Sequence, residues 1–278
     1  MKDTEQVRAF YNRTAMAEWK RIDGRPEFLL TSRLLEKKIP RGARVLDIGG
    51  GPGRYSIFLA GRGYDVTLLD LAEENVRLAR EMAAEAGVTI RAVAGNALDA
   101  GSLVTGPFDA VLLMGPLYHL TDPRDRERAM TAALNLLKPG GRFFASFILT
   151  TADLIDIMKN PDRTPLEPDP ANTALRAAIK EGRSWAGDAF TRAVFWDLSE
   201  ILPFLADYDL EDVRLFAQEG ILSPAEGRIM AGPPEETARW LELAEALAER
   251  PDYLGWAEHI LAYGTKKEAH HADAQRNG

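Results

Sequence analysis

The chain has 278 residues, 46% of them hydrophobic, which sets one large domain, or one domain with an appended lid, as the expectation. Lys plus Arg total 34 against 42 Asp plus Glu, and a net charge of −8 argues against a nucleic-acid partner because it repels phosphate backbones. The absence of cysteine excludes disulfides, thiolate metal sites and cysteine nucleophiles, and agrees with a reducing, cytoplasmic setting. Taken in chain order, residues 5–20 read as a helix, with Val7, Phe10, Tyr11 and Thr14 at i, i+3, i+4, i+7 spacing. Residues 25–38 read as a second helix, and residues 43–48 as a short buried strand. A helix over 54–60 ends at Gly61, and the next strand covers 64–69. Residues 72–86 are helical, with Val76, Ala79, Ala83 and Ala86 on one face and Gly87 placed to cap the end. Strands are predicted over 89–94 and 108–114. Asp122 can cap a helix with Pro123 at its first position, and that helix stops at Lys138-Pro139-Gly140-Gly141, before a fifth strand over 142–149.

Strands alternating with helices predict a doubly wound, mostly parallel sheet covered on both faces. The alternation breaks after Leu149. Residues 150–196 contain Pro161, Pro165, Pro168 and Pro170, allow no strand assignment, and read as a lid over the acceptor site. A helix over 198–205, a strand over 210–216, a helix carrying Trp240, Leu243, Ala244 and Leu247, and a last strand over 259–265 follow. The expected organisation is a helical cover over 1–40, a core over 41–149, the lid over 150–196, a C-terminal part of the core over 197–265, and a polar tail over 266–278. Residues 1–6 lack the apolar region of a signal peptide, and no apolar run approaches the roughly 20 residues of a membrane helix.

The segment Asp47-Ile48-Gly49-Gly50-Gly51-Pro52-Gly53 joins a strand to a helix. Glycines there permit positive φ and close approach of backbone to a ligand, and the helix start offers free N–H groups. Position 54 is Arg, so the third glycine of the dinucleotide pattern is missing, and Asp47 is also foreign to that pattern. The stretch resembles the D/E-x-G-x-G-x-G motif of class I S-adenosylmethionine (SAM)-dependent methyltransferases. The resemblance covers residues 40–150 most strongly. It implies a seven-stranded sheet with an antiparallel last strand, SAM as methyl donor, S-adenosylhomocysteine as product, and a small-molecule acceptor with an O, N or C nucleophile. A peptide or RNA acceptor, or a SAM-binding protein without transfer activity, are the alternatives.

The same resemblance implies the cofactor-binding residues. Asp47, Gly49, Gly50, Gly51 and Gly53 form the loop, and Asp70, with Leu71 beside it, looks like the carboxylate that accepts the ribose hydroxyls. Gly95-Asn96-Ala97 stands where the family often has G-D-A, so Asn96 and Ala97 would face adenine. Met114 ends the fourth strand. Tyr11, from the first helix, would reach the methionine carboxylate. Arg54 would pair with that carboxylate or bond a backbone carbonyl. Asp70 read by itself could also cap the following helix.

Gly115-Pro116-Leu117-Tyr118-His119-Leu120 leaves the fourth strand at the end where open α/β sheets bind ligands. His119 is read either as a general base or orienting group, with Tyr118 stacking or hydrogen bonding beside it, or as a packed histidine donating to a backbone carbonyl. Trp185, Phe190, Phe195 and Trp196 would line an aromatic acceptor pocket or hold the lid down. No carboxylate–histidine cluster has ligand spacing, and His270-His271 stands in the polar tail, so no metal site is predicted; magnesium held by carboxylates alone stays open.

Overall fold

A computed structural model describes residues 2–160 and 170–268. Pro161, Pro165, Pro168, His270 and His271 lie outside the described residues. In chain order the elements are α1 (Lys2–Arg21), α2 (Pro26–Lys38), β1 (Arg44–Ile48), α3 (Arg54–Ala60), β2 (Asp65–Asp70), α4 (Glu73–Glu85), β3 (Arg91–Ala94), α5 (Ala100–Leu103), β4 (Phe108–Leu113), α6 (Pro123–Leu136) and β5 (Leu137–Leu149). They continue as α7 (Ala152–Lys159), α8 (Pro170–Glu181), β6 (Trp185–Asp188), β7 (Arg192–Trp196), α9 (Leu198–Ala206), β8 (Leu210–Ala217), α10 (Glu226–Met230), α11 (Pro234–Leu247), α12 (Pro251–Leu254) and β9 (His259–Lys266).

The strands run β3-β2-β1-β4-β5 in parallel; β9 joins β5 antiparallel, and β8 joins β9 antiparallel. These seven strands are the expected core, with the last strand antiparallel. Along β1, Leu46 and Ile48 pack with α6 residues Met130 and Ala133 on one face, while Val45 packs with Leu34 and Leu59 on the other. Along β4, Val111 and Leu113 alternate in the same way with Ala110 and Leu112. Both faces are apolar, which is why these strands read as unbroken apolar runs rather than as alternating ones. Helix signals hold locally: Asp122 accepts from the Arg124 N–H at 3.0 Å with Pro123 at the first turn, and Gly87 takes φ 68 at the end of α4.

The region after β5 departs from expectation. β6 and β7 form an antiparallel hairpin within residues 150–196, where the sequence pattern supports no strand, and β7 pairs in parallel with Ile148 and Leu149. β4 pairs with β5 only as far as Ala145, so the hairpin continues the sheet beyond the end of β4. Its strands are four and five residues long, too short for a periodicity signal, and its attachment to β5 is long-range. Gly187 lets the Trp185 ring lie across the strand: a Cβ at that position would stand 2.4 Å from the indole. Among the described residues the sheet thus has nine strands, and the hairpin lies over the loop that follows β4.

Candidate active site

β1 and β4 are neighbours whose following connections diverge, so a crevice opens at their carboxyl ends. Gly49 and Gly115 meet there; a Cβ on Gly115 would stand 3.0 Å from the Gly49 carbonyl oxygen. Gly49 takes φ 74 and abuts Pro116, where a Cβ would fall 2.5 Å from the proline ring. Gly51 takes φ 56, a Cβ there would meet nothing within 4 Å, and the residue borders a cavity of roughly 1070 Å³. That volume exceeds one ordinary ligand pocket and has room for a nucleoside-sized molecule beside a second small one.

Asp47, Gly49, Gly50, Gly51, Asp70, Leu71, Asn96, Ala97, Met114, Tyr11, Tyr118 and His119 all line this cavity. Gly53 does not: it starts α3 at φ 87 and presses on Ala79, so its role in the structure is helix packing. Asp47 is buried, accepts from the Ser56 hydroxyl at 2.8 Å, and is pushed up to about 7 by burial. Asp70 accepts from the Gly51 N–H at 2.8 Å, the Ala72 N–H at 2.9 Å and the Asn75 amide at 3.1 Å. It therefore ties the glycine loop to the start of α4 while bordering the cavity. Burial raises its carboxyl despite these donors. The Asn96 side-chain oxygen accepts from the Leu98 N–H at 3.0 Å. Arg54 donates to the Trp19 carbonyl at 2.7 Å, pairs with Asp23 at 3.0 Å and stacks 3.6 Å over the Trp19 ring, which is the backbone-bonding arrangement.

His119 is held at both nitrogens. Nδ1 stands 2.9 Å from the Arg192 carbonyl oxygen, and Nε2 stands 2.7 Å from the Tyr11 hydroxyl. A carbonyl only accepts, so Nδ1 carries the proton and Nε2 accepts from the tyrosine. Burial lowers the imidazole to about 4, so it is neutral at pH 7. Tyr118 donates to the Met114 carbonyl at 3.3 Å. Trp185, Phe190 and Phe195 line the cavity, whereas Trp196 packs on Phe147 and Phe204 in the core.

A second polar group, absent from the sequence-level assignment, borders the same cavity. His259 begins β9, and its Nδ1 stands 2.5 Å from Glu219 Oε1. Glu219 Oε2 accepts from the backbone N–H groups of Glu258 and His259 at 3.1 and 3.0 Å. Glu27, from α2, pairs with Arg21 of α1 at 2.8 Å. Burial works to lower His259, but the carboxylates of Glu219 and Glu27 outweigh it and push the imidazole up to about 9. Burial opposes ionisation of Glu27, and Arg21 reverses this and holds it below the usual carboxylate range. Glu27, Glu219 and His259 bring one ligand-type atom each within 4.8 Å of one another, a carboxylate–histidine cluster that no sequence spacing announces. The Arg21 guanidinium and the His259 proton already supply the countercharge to both carboxylates. Among the described residues no helix is long and apolar enough to cross a membrane.

Residues 45–141 match the family described as "Methyltransferase domain". The chain is 41% identical over 112 residues to the ubiquinone biosynthesis O-methyltransferase of Xanthomonas axonopodis pv. citri, covering 40% of this chain and 46% of that protein. It is 40% identical over 118 residues to the Xylella fastidiosa protein of the same name, covering 42% and 47%. The chain thus spans about half the length of these relatives. Among solved structures it is similar to 1,6-didemethyltoxoflavin-N1-methyltransferase of Burkholderia thailandensis, with TM-score 0.59, 17% identity, and 95% and 88% of the two chains covered. It is also similar to magnesium protoporphyrin IX methyltransferase of Synechocystis, with TM-score 0.54, 16% identity, and 95% and 100% covered. At these identities the structural likeness establishes the fold.

Proposed function

We propose that this chain, whose residues 45–141 match the methyltransferase-domain family, transfers a methyl group from SAM to a nucleophile of a small molecule. The observation that carries the reading is the continuity of one cavity from Asp70 and the glycine loop to the aromatic and ionisable residues under α1 and the β6–β7 hairpin. Gly51 offers an open cradle into which a side chain would intrude, and Asp70 borders it, which suits a nucleoside with ribose hydroxyls. The O-methyltransferase relatives support a small-molecule acceptor.

In this reading Asp47, Gly49, Gly50, Gly51, Asp70, Leu71, Asn96, Ala97 and Met114 hold the cofactor, the described part of residues 1–40 covers it, and the described parts of residues 150–196 form the lid. A sulfonium carries its own driving force, so the chain supplies alignment and exclusion of water rather than a triad. Tyr11 and His119 are positioning residues, since the His119 lone pair is already engaged by Tyr11. Tyr118 forms a wall of the acceptor half. The absence of cysteine suits a cytoplasmic setting.

Calorimetry with SAM and a tritiated-methyl assay over a metabolite panel test this. Wild-type protein is expected to bind SAM and label at least one small molecule. Asp70→Ala is expected to weaken SAM binding by ~1–3 kcal/mol, the cost of losing charge-assisted hydrogen bonds. Failure of the wild type to bind SAM overturns the reading. Binding without transfer to any acceptor makes the chain a SAM-binding protein instead.

A further inference from the structure

Resting on that reading, we propose that His259, oriented by Glu219, is the group that takes the proton from the acceptor, and that the acceptor is an aromatic or enolic hydroxyl. The geometry has three parts. His259 Nδ1 is committed to Glu219 at 2.5 Å, which fixes the ring, while Nε2 has no hydrogen-bond partner among the described residues. Glu219 is itself locked by two backbone N–H groups, and its side chain is 4% exposed, whereas that of His259 keeps 16% and borders the cavity. Flat and apolar groups form part of the wall: the Tyr118 ring lies 6.5 Å from the imidazole, and Phe195, Trp185 and Ile148 share the cavity with the polar Glu27, Ser146 and Gln218. A planar acceptor fits such walls, and a hydroxyl placed on Nε2 finds the one uncommitted imidazole nitrogen of the site. His119 offers no such nitrogen, because Tyr11 and the Arg192 carbonyl hold both of its own.

The step balances without a further reagent. At pH 7 His259 is mostly imidazolium, so it first releases its Nε2 proton to solvent; the acceptor O–H proton then passes to the freed Nε2, and the oxygen keeps the electron pair. That pair forms the O–CH3 bond as the S–CH3 bond breaks, its electrons return to sulfur, and the proton leaves His259 for solvent. The groups facing His259 stabilise the imidazolium formed when the acceptor proton arrives, and they make the neutral, reactive form the minor one at pH 7. Glu219 follows β8 and Glu27 comes from α2, against the Arg21 guanidinium of α1 and the neutral phenol of Tyr118, while Glu258, which precedes β9, is paired with Lys159 of α7. The raised imidazole, about 9, matches a weakly acidic hydroxyl far better than an amine, which needs its proton removed only after it has been methylated.

The test uses the full chain, tritiated SAM, and phenol, catechol, 4-hydroxybenzoate and 2-naphthol as acceptors, with aniline and benzylamine as controls. The variants are His259→Gln and Glu219→Gln, with SAM affinity measured by calorimetry in each. The expected result is labelling of a phenolic probe by wild type. Turnover at pH 7 should fall about 100-fold in His259→Gln and less in Glu219→Gln, as for loss of general-base assistance. SAM affinity should stay within threefold. Wild-type turnover should rise with pH and level off near 9 as His259 loses its proton, whereas the residual turnover of His259→Gln should lack that plateau and keep rising with ionisation of the acceptor itself; a merely structural histidine would leave the two profiles parallel. Full turnover in His259→Gln overturns the proposal, as does labelling of the amines but of no phenol. Loss of wild-type turnover on chelation, restored by Mg2+, also overturns it, since Glu27, Glu219 and His259 would then be holding a cation. Absence of SAM binding by the wild type instead overturns the methyltransferase reading itself.

Discussion

The hydroxyl of Tyr11 stands 2.7 Å from Nε2 of His119 and so joins α1 to the loop after β4. Through its other nitrogen the same histidine reaches β7 at the Arg192 carbonyl. One side chain thus fastens three elements that are distant in sequence around the mouth of the cavity. The ring contacts agree: the Tyr11 and His119 centroids are 5.2 Å apart, and Phe190 of the hairpin turn lies 5.8 Å from His119.

Replacing Tyr11 by Phe keeps the ring packing and removes only the donor. The expected cost is about 1 kcal/mol of local stability, the usual net worth of one hydrogen bond. Because α1 is the element released, amide exchange over residues 2–21 should quicken while β1 and β4 stay protected. Unaltered protection across α1 would mean that the bond does not hold the cover in place.

Asp47 gives the protein a pH dependence of predictable sign. Its folded carboxyl is raised to about 7, against the ordinary 3.8, so between those values the folded chain binds the extra proton. Stability from this group is therefore greatest at acid pH, declines as pH rises through that window, and levels off above about 7. His119, lowered to about 4, tilts the opposite way over the overlapping range, so the two must be separated by substitution. Asp47→Asn keeps an acceptor for Ser56 and cannot ionise. Relative to wild type, its melting temperature should improve between pH 5 and pH 8, as measured by scanning calorimetry without ligand. A parallel pair of pH profiles would show that Asp47 is not buried as a proton-binding group.

Two loop glycines should fail differently when changed to alanine. At Gly49 the methyl meets the Pro116 ring at 2.5 Å on a backbone with φ 74, so overpacking adds to backbone strain and the loss should be about 2–4 kcal/mol. At Gly51 the methyl enters open space, leaving only the cost of φ 56, about 1 kcal/mol. Under the proposed function that methyl points into the cofactor half, so Gly51→Ala should lose SAM affinity out of proportion to its stability. Denaturant melts together with calorimetry separate the two, and equal stability losses would contradict the packing described for Gly49.

Much of the architecture is legible from local pattern. The core strands, α4, and α6 with its Asp122 cap are set by contiguous apolar runs and by capping residues a few positions away. The glycine loop and Asp70 are legible for a related reason: a strand, a tight turn and a helix start follow one another in the chain, so their spacing alone carries the geometry. The β6–β7 hairpin is not legible, since its short strands are held by Ile148 and Leu149 rather than by their own periodicity.

What the sequence by itself determined, then, is the scaffold and the loop that would cradle a nucleoside, because those depend on neighbours along the chain. What only the tertiary structure decided is which ionisable groups meet. His119 is spent on Tyr11 and Arg192, whereas Glu27, Glu219 and His259 converge from α2, the turn after β8 and the start of β9. A parallel sheet delivers the carboxyl ends of its strands to one edge, and antiparallel β9 brings its first residue to that same edge. Such a meeting is a property of strand order and direction, and no spacing within the chain encodes it.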